Sequence, residues 1–305
     1  MSFSLILPTL NAGDDFNALL RSISHQSLQP CEIIVIDSSS TDQTVSIAKD
    51  YGCRVETITR ESFDHGGTRT LAAQMAQGEI LLFLTQDALP ADNYAFKRLI
   101  ECFADTRIAA AYGRQLPHPN ASVWGSHLRL FNYGETSYLR ALDEKKRYGL
   151  KTAFLSNSFC AYRTRALQEV GYFKNTLILG EDMVAGAMLL KKEHCLAYEA
   201  RAEVFHSHDY TLWQEFQRYF DIGVLHRNES WLLEEFGKPE GEGLKYVLSE
   251  FRYLISHKKS PLIFYSLFRN CAKYIGYKLG KIHPLFPIGV VKYMSMHKRW
   301  WDKLP

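Results

Sequence analysis

Glu79-Ile80-Leu81-Leu82-Phe83-Leu84-Thr85-Gln86-Asp87-Ala88-Leu89-Pro90 is the stretch from which the fold can be read. Ile80 to Leu84 are apolar without a break, the pattern of a strand buried on both faces of a parallel sheet with helices above and below. The run stops at Thr85-Gln86-Asp87, and Pro90 opposes its continuation. A carboxylate therefore stands just past the carboxyl end of a central strand, the edge at which open α/β sheets bind ligands. Asp is also a common helix cap, so capping of a following helix is the competing reading of Asp87.

Working outward, the same alternation recurs. Phe3–Leu7, Ile33–Ile36, Arg54–Ile58 and Ile108–Tyr112 read as strands. Between them lie an amphipathic helix carrying Phe16, Leu19, Leu20 and Ile23 and a second helix reaching Tyr51, capped by Ser40 or Thr41 and stopped by Gly52. The loop Phe63–Arg69 enters a helix through Gln77, and a further helix spans Tyr94–Phe103. Strands alternating with helices of ten to fifteen residues predict an α/β fold with a mostly parallel, Rossmann-like central sheet. Pro117–Lys151, rich in aromatic and basic residues, breaks the rhythm and is a candidate lid. Ser158–Arg163 and the short Val204-Phe205 resume it. From Thr211 the pattern is helical, with Leu244, Val247, Leu248, Phe251, Leu254 and Ile255 on one amphipathic face. The expected division is 1–210 and a helical extension, 211–305.

The composition, 46% hydrophobic and 23% charged, is that of an ordinary globular protein. No run has the length of a membrane-spanning helix, the first residues read as a strand rather than a signal peptide, and the six scattered cysteines predict reduced thiols in a cytoplasmic protein. Net charge is +3, but residues 257–305 carry ten Lys and Arg against Asp302 alone. With aromatics interleaved among these cations, an anionic membrane surface is the expected partner. An acidic remainder and the lack of any matching module argue against nucleic acid.

Carboxylates recur along the sheet edge at Asp37, Asp87 and Glu181-Asp182, and two histidines, His206 and His208, follow a later strand. Converging, they would offer a site for Mn²⁺ or Mg²⁺ and a separate general base. Gly66-Gly67 beside Arg69 would let backbone N–H groups and a guanidinium approach a diphosphate. Each has a plainer reading: the histidines structural, the acidic pair favouring a helix dipole, the glycines no recognised phosphate loop.

The ordered set Pro8-Thr9-Leu10-Asn11, Val35–Asp42, Phe83–Ala88 and Gly180-Glu181-Asp182 resembles the family 2 glycosyltransferases of the GT-A fold, over about residues 3–210. Phe63–Arg69, with Tyr277–Lys281 and Ser295–Lys298, is similar to the bacterial rhamnosyltransferases that build O-antigen and other surface polysaccharides. The resemblance implies an inverting transfer of L-rhamnose from dTDP-β-L-rhamnose to a lipid-linked oligosaccharide or growing glycan, at the inner face of the cytoplasmic membrane. It implies that Thr9, Asn11, Asp37 and Ser38 line the base and ribose, and that His65, Gly66, Gly67 and Arg69 lie near the diphosphate. Gln86 belongs to the same nucleotide-sugar site. Asp87 is the implied metal ligand with His206, Asp182 the base, and Glu181 its neighbour. Thr85 and Ser38 replace two of the family's usual aspartates, which disfavours a UDP-sugar. Another nucleotide-sugar donor, or a non-catalytic carbohydrate- or nucleotide-binding protein on this fold, is the alternative.

Overall fold

The computed structural model describes residues 1–237 and 240–303. Its strands are β1 (Phe3–Thr9), β2 (Glu32–Asp37), β3 (Arg54–Thr57), β4 (Ile80–Leu84), β5 (Leu89–Pro90), β6 (Ile108–Leu116), β7 (Tyr138–Arg140), β8 (Phe159–Arg163) and β9 (Cys195–Phe205). The helices of the first two thirds are α1 (Gly13–Ser24), α2 (Thr44–Asp50), α3 (His65–Met75), α4 (Ala95–Glu101), α5 (Val123–Asn132), α6 (Lys145–Tyr148), α7 (Thr164–Glu169) and α8 (Glu181–Lys191). The last third is helical among the described residues: α9 (Leu212–Asn228), α10 (Ser230–Phe236), α11 (Glu240–Ser256), α12 (Ile263–Lys281), α13 (Ile288–Met294) and α14 (Lys298–Trp301).

The sheet runs β3-β2-β1-β4-β8-β6-β9-β5, with β7 added to β9. β3, β2, β1 and β4 are mutually parallel, and β6 is parallel to β9. β8 is inserted antiparallel between β4 and β6, so the sheet is mixed. All five residues of β4 are 0% exposed. Ile80, Leu82 and Leu84 pack with α1 and α4 on one face, Leu81 and Phe83 with α3 and α8 on the other, which is why the strand shows no polar alternation.

Several expectations shift. Asp87 caps no helix, because the chain continues as β5 and the next helix begins at Ala95. Pro90 is accommodated in that short strand, paired with Val204. The α2 entry is held by Asp42, whose carboxylate accepts from the Thr44 N–H and hydroxyl, rather than by Ser40 or Thr41. Val204-Phe205 is the end of an eleven-residue strand in which Glu199, Arg201 and Glu203 alternate with Ala200, Ala202 and Val204. The Pro117–Lys151 segment is no free lid: β7 pairs with β9, and the α5 residue His127 bonds Ser249 of α11.

In the helical part α11 turns a polar row inward. Glu250 is fully buried and accepts from Tyr246 and Asn270, while Leu244, Leu248 and Ile255 of the amphipathic face are 64%, 47% and 59% exposed. α9 and α12 pack through glycines. A Cβ on Gly223 would lie 2.3 Å from the Tyr277 carbonyl oxygen, and one on Gly280 2.0 Å from that of Phe220. Such an approach leaves no room for a side chain. Gly280→Val should therefore destabilise the full chain by about 1–3 kcal/mol or more, read as a lower urea midpoint, whereas Gly289→Ala, in open space on helix α13, should not lower it.

Candidate active site

The carboxyl ends of β1, β2 and β4 open onto a cavity of about 670 Å³. Thr9, Ser38, His65, Arg69, Gln86 and Asp87 line it. Gln86 ties two of the walls together, its Oε1 accepting from the Leu10 N–H at 2.8 Å and its Nε2 donating to the Leu10 carbonyl at 3.2 Å. Asp37 lies behind the wall. It is 0% exposed and accepts from Thr9 Oγ1 at 3.0 Å, from the Ser40 N–H at 2.8 Å and from the Ser40 hydroxyl. Ser39, at φ +57°, folds Ser40 back onto it. Asp37 therefore braces the β1 and β2 ends of the cavity wall from behind. Asn11 is exposed outside the cavity lining, and its Oδ1 accepts from the Thr41 N–H at 2.8 Å.

The His65–Arg69 segment also differs from the expected phosphate loop. It is the first turn of α3, and the Asp64 carboxylate caps it by accepting from the Gly67 N–H at 2.6 Å. Gly66 is required by packing, since a Cβ there would stand 2.0 Å from the Lys174 carbonyl oxygen. Neither glycine lines the cavity. Arg69 does, but its guanidinium is engaged: Nη1 lies 3.2 Å from Glu181 Oε1 and donates to the His65 carbonyl at 3.1 Å.

Glu181 and Asp182 open α8 behind Gly180, which takes φ +80°. They do not line the cavity themselves; Arg69 links them to it. Asn157, a residue that the sequence did not single out, joins the pair. Its side-chain N–H donates to Glu181 at 3.1 Å, its backbone N–H to Asp182 Oδ2 at 3.1 Å, and it accepts from the Tyr162 hydroxyl at 2.8 Å. The two carboxyls are driven apart. Burial works against ionised Glu181, but Arg69, with His65 and Asn157, outweighs it and holds that carboxyl below its ordinary value. Burial and then the Glu181 charge push Asp182 up to about 7. One stays ionised while the other is poised near neutrality to take a proton.

Asp87 meets two imidazoles at the other end of the site. Its Oδ2 lies 3.4 Å from His206 Nε2 and 3.7 Å from His208 Nε2, and one ligand atom of each residue falls within 4.8 Å of the others. His206 Nδ1 is 2.8 Å from Gln115 Oε1, an acceptor that also receives Arg129 Nη1. That contact fixes the tautomer, with Nδ1 donating and the Nε2 lone pair turned toward a carboxylate. Burial holds both imidazoles below their ordinary pKa. Two neutral imidazole nitrogens and a carboxylate oxygen facing one another repel unless a cation stands between them. The two imidazole nitrogens suit a first-row divalent ion, Mn²⁺ included, better than Mg²⁺, which prefers an all-oxygen shell. Sequence spacing left His206 and His208 as alternatives; the structure brings both to Asp87. Gln115 carried no signal because its role is visible only across the sheet.

A model of the family described as glycosyl transferase family 2 matches residues 4–171. The O-antigen chain rhamnosyltransferase RfbN of Salmonella typhimurium is 42% identical over 100% of this chain and 97% of its own length. The corresponding enzyme WbaN of Salmonella anatum is 42% identical over 99% and 96%. Among solved structures, the mannosyltransferase PcManGT from Pyrobaculum calidifontis, in complex with GDP-Man and Mn²⁺, superposes with a TM-score of 0.60 at 16% identity, covering 99% of this chain and 88% of that one. Staphylococcus aureus TarS 1-349 with UDP-GlcNAc superposes at 0.56 and 17% identity, covering 93% and 92%. These structural likenesses establish the fold. Family match and full-length identity, added to the carboxylates gathered at the sheet edge, make the chain a member of glycosyl transferase family 2.

Proposed function

We propose that this glycosyltransferase moves L-rhamnose from dTDP-β-L-rhamnose, with inversion, onto a hydroxyl of a lipid-linked or growing bacterial surface polysaccharide. The observation that carries the reading is the pairing of a raised carboxyl, Asp182, with an ionised Glu181 beside a cavity that ends in the Asp87-His206-His208 cluster. The choice of sugar rests on the full-length relationship to O-antigen rhamnosyltransferases. Residues 1–210 form the transferase unit in this proposal and 211–305 the extension.

Thr9 and Ser38 contact the nucleoside, with Asp37 and Gln86 keeping their loops in place. Asn11 holds the neighbouring turn through Thr41. His65 borders the sugar-phosphate, and Gly66 and Gly67 let α3 start close enough to bring it there. Arg69 keeps Glu181 ionised. Asp182 takes the proton from the acceptor oxygen as that oxygen attacks the anomeric carbon, and the bond to the diphosphate breaks. Mn²⁺ or Mg²⁺ held by Asp87, His206 and His208 would supply positive charge to the departing diphosphate.

The extension supports an anionic membrane as the second partner, at the inner face of the cytoplasmic membrane where a lipid-linked acceptor would lie. Phe264 and Phe268, which follow the exposed Lys258 and Lys259, are 75% and 67% exposed, and Leu285 is 78% exposed. Exposed apolar side chains and exposed cations on the same extension suit an interfacial surface. No helix among the described residues is long and apolar enough to cross a membrane.

The decisive assay follows dTDP release and product configuration with dTDP-rhamnose and a lipid-linked acceptor. An α-linked product supports the reading; no dTDP release with any acceptor, or faster turnover of a UDP- or GDP-sugar, removes the donor assignment. Asp182→Asn should lower kcat by roughly 10²–10⁴-fold with donor binding retained. Because the base must be unprotonated, kcat should fall as pH drops below about 7. Asp87→Ala should abolish the rise in thermal midpoint that Mn²⁺ gives the wild-type protein; an equal rise in both would remove the metal assignment. In flotation assays the full chain should rise with vesicles containing phosphatidylglycerol and stay behind with neutral ones, the difference shrinking in high salt.

A further inference from the structure

The stretch Ser295–Lys303 lies late in the helical extension and returns to the sheet edge, where it is fastened at several points. Asp221 Oδ2 of α9 accepts from the backbone N–H of Met296 at 3.0 Å and of His297 at 3.3 Å. Gln217 Nε2 donates to the Ser295 carbonyl at 3.1 Å. The His297 ring stands edge-on to that of His65, 5.2 Å away at 87°. Trp300 Nε1 donates to the Thr176 carbonyl at 2.9 Å, and Trp301 is buried against Phe220. This segment is thus a built wall, and Lys298, Arg299 and Lys303 line the same cavity as Thr9, Ser38 and Asp87.

The charges of that cavity do not balance. Arg69 is committed to Glu181. Lys303 donates to the Phe63 carbonyl at 2.6 Å, a neutral partner. Arg60, Lys298 and Arg299 have no carboxylate partner among the described residues, although all three line the cavity. On the acidic side, Asp64 accepts from the backbone N–H groups of Gly67 and Thr176, and Asp87 faces the two histidines. A concave site with three unpaired cations recognises a ligand with several negative charges close together.

We propose that Lys298 and Arg299 of the returning C-terminal segment, with Arg60, bind the diphosphate of the nucleotide-sugar, so that the donor site is built from both ends of the chain. The inference rests on the donor reading above and assigns to the C-terminal segment the charged phosphate contacts for which Arg69, paired with Glu181, is not free. Asp221 and Gln217 act as positioning residues for the segment, and the transferase unit without its extension lacks two of the three cations of its phosphate site.

Titration calorimetry of the full chain with thymidine, dTMP and dTDP, alongside UDP and GDP, tests it. In the wild-type protein affinity should rise steeply from nucleoside to diphosphate. In Lys298→Ala/Arg299→Ala the preferred diphosphate should bind ~10–100-fold more weakly, while thymidine binding and the thermal midpoint stay as in the wild-type protein, since both side chains are exposed. Arg299→Lys should recover part of the loss. A double variant that binds the preferred diphosphate as tightly as the wild-type protein overturns the inference and leaves the donor reading standing. A wild-type preference for UDP or GDP changes the donor reading, and the double variant then tests the inference with that nucleotide. Wild-type protein that binds no nucleoside diphosphate overturns both.

Discussion

The ion pair between Arg69 and Glu181 joins the donor side of this molecule to its chemistry. Both side chains are less than a tenth exposed, at 8% and 6%. Removing one partner of such a pair strands a buried charge, typically at about 3–5 kcal/mol. Here the pair also does electrostatic work. Arg69 keeps Glu181 ionised, and the Glu181 charge, added to burial, disfavours ionisation of Asp182. Asn157 holds the two carboxyls in register, with one N–H on each. Since Arg69 comes from α3 and the carboxyls from α8, the docking of those helices decides the proton affinity of Asp182. Gly66, pressed against the Lys174 carbonyl, sets how closely α3 can approach.

The second cluster is organised by the same economy of fixed partners. Gln115 and Arg129 settle the His206 tautomer from behind, so the face that meets Asp87 has a lone pair rather than a proton. A conformationally free histidine would turn to donate to the carboxylate; this one is held from doing so. The two ends of the site thus differ in kind: one raises the proton affinity of a carboxyl, the other gathers two imidazoles around a carboxylate.

Much of this was legible in the sequence because it is local. The unbroken Ile80–Leu84 run marks a doubly buried strand, and the placement of Asp37 and Asp87 follows directly from where β2 and β4 end. Gly180 before Glu181-Asp182 correctly announces a helix start. What was not legible depends on partners far away in the chain. Nothing in Phe159–Arg163 says that it pairs antiparallel to Ile80–Leu84, because a strand buried on both faces looks the same in either direction. Gly66-Gly67 reads as a place where backbone N–H groups could approach a diphosphate, until Lys174 is found against Gly66. Leu244 and Leu248 read as a core-facing stripe, yet Glu250 is turned inward because Asn270 and Tyr246 satisfy it. Asp37 likewise reads as a ligand-facing carboxylate until Thr9 and Ser40 are seen to occupy it.

The division of labour between the two acidic residues is the central claim, and the pH dependence of turnover in Glu181→Gln measures it most directly. Removing the Glu181 charge takes away a group that raises the Asp182 pKa and frees the Arg69 charge that lowers it. The acidic limb of the kcat profile should therefore move to lower pH than in the wild-type enzyme, with residual activity at neutral pH. A limb that stays in place, or moves to higher pH, would contradict the assignment of Asp182 as a base tuned by its neighbour.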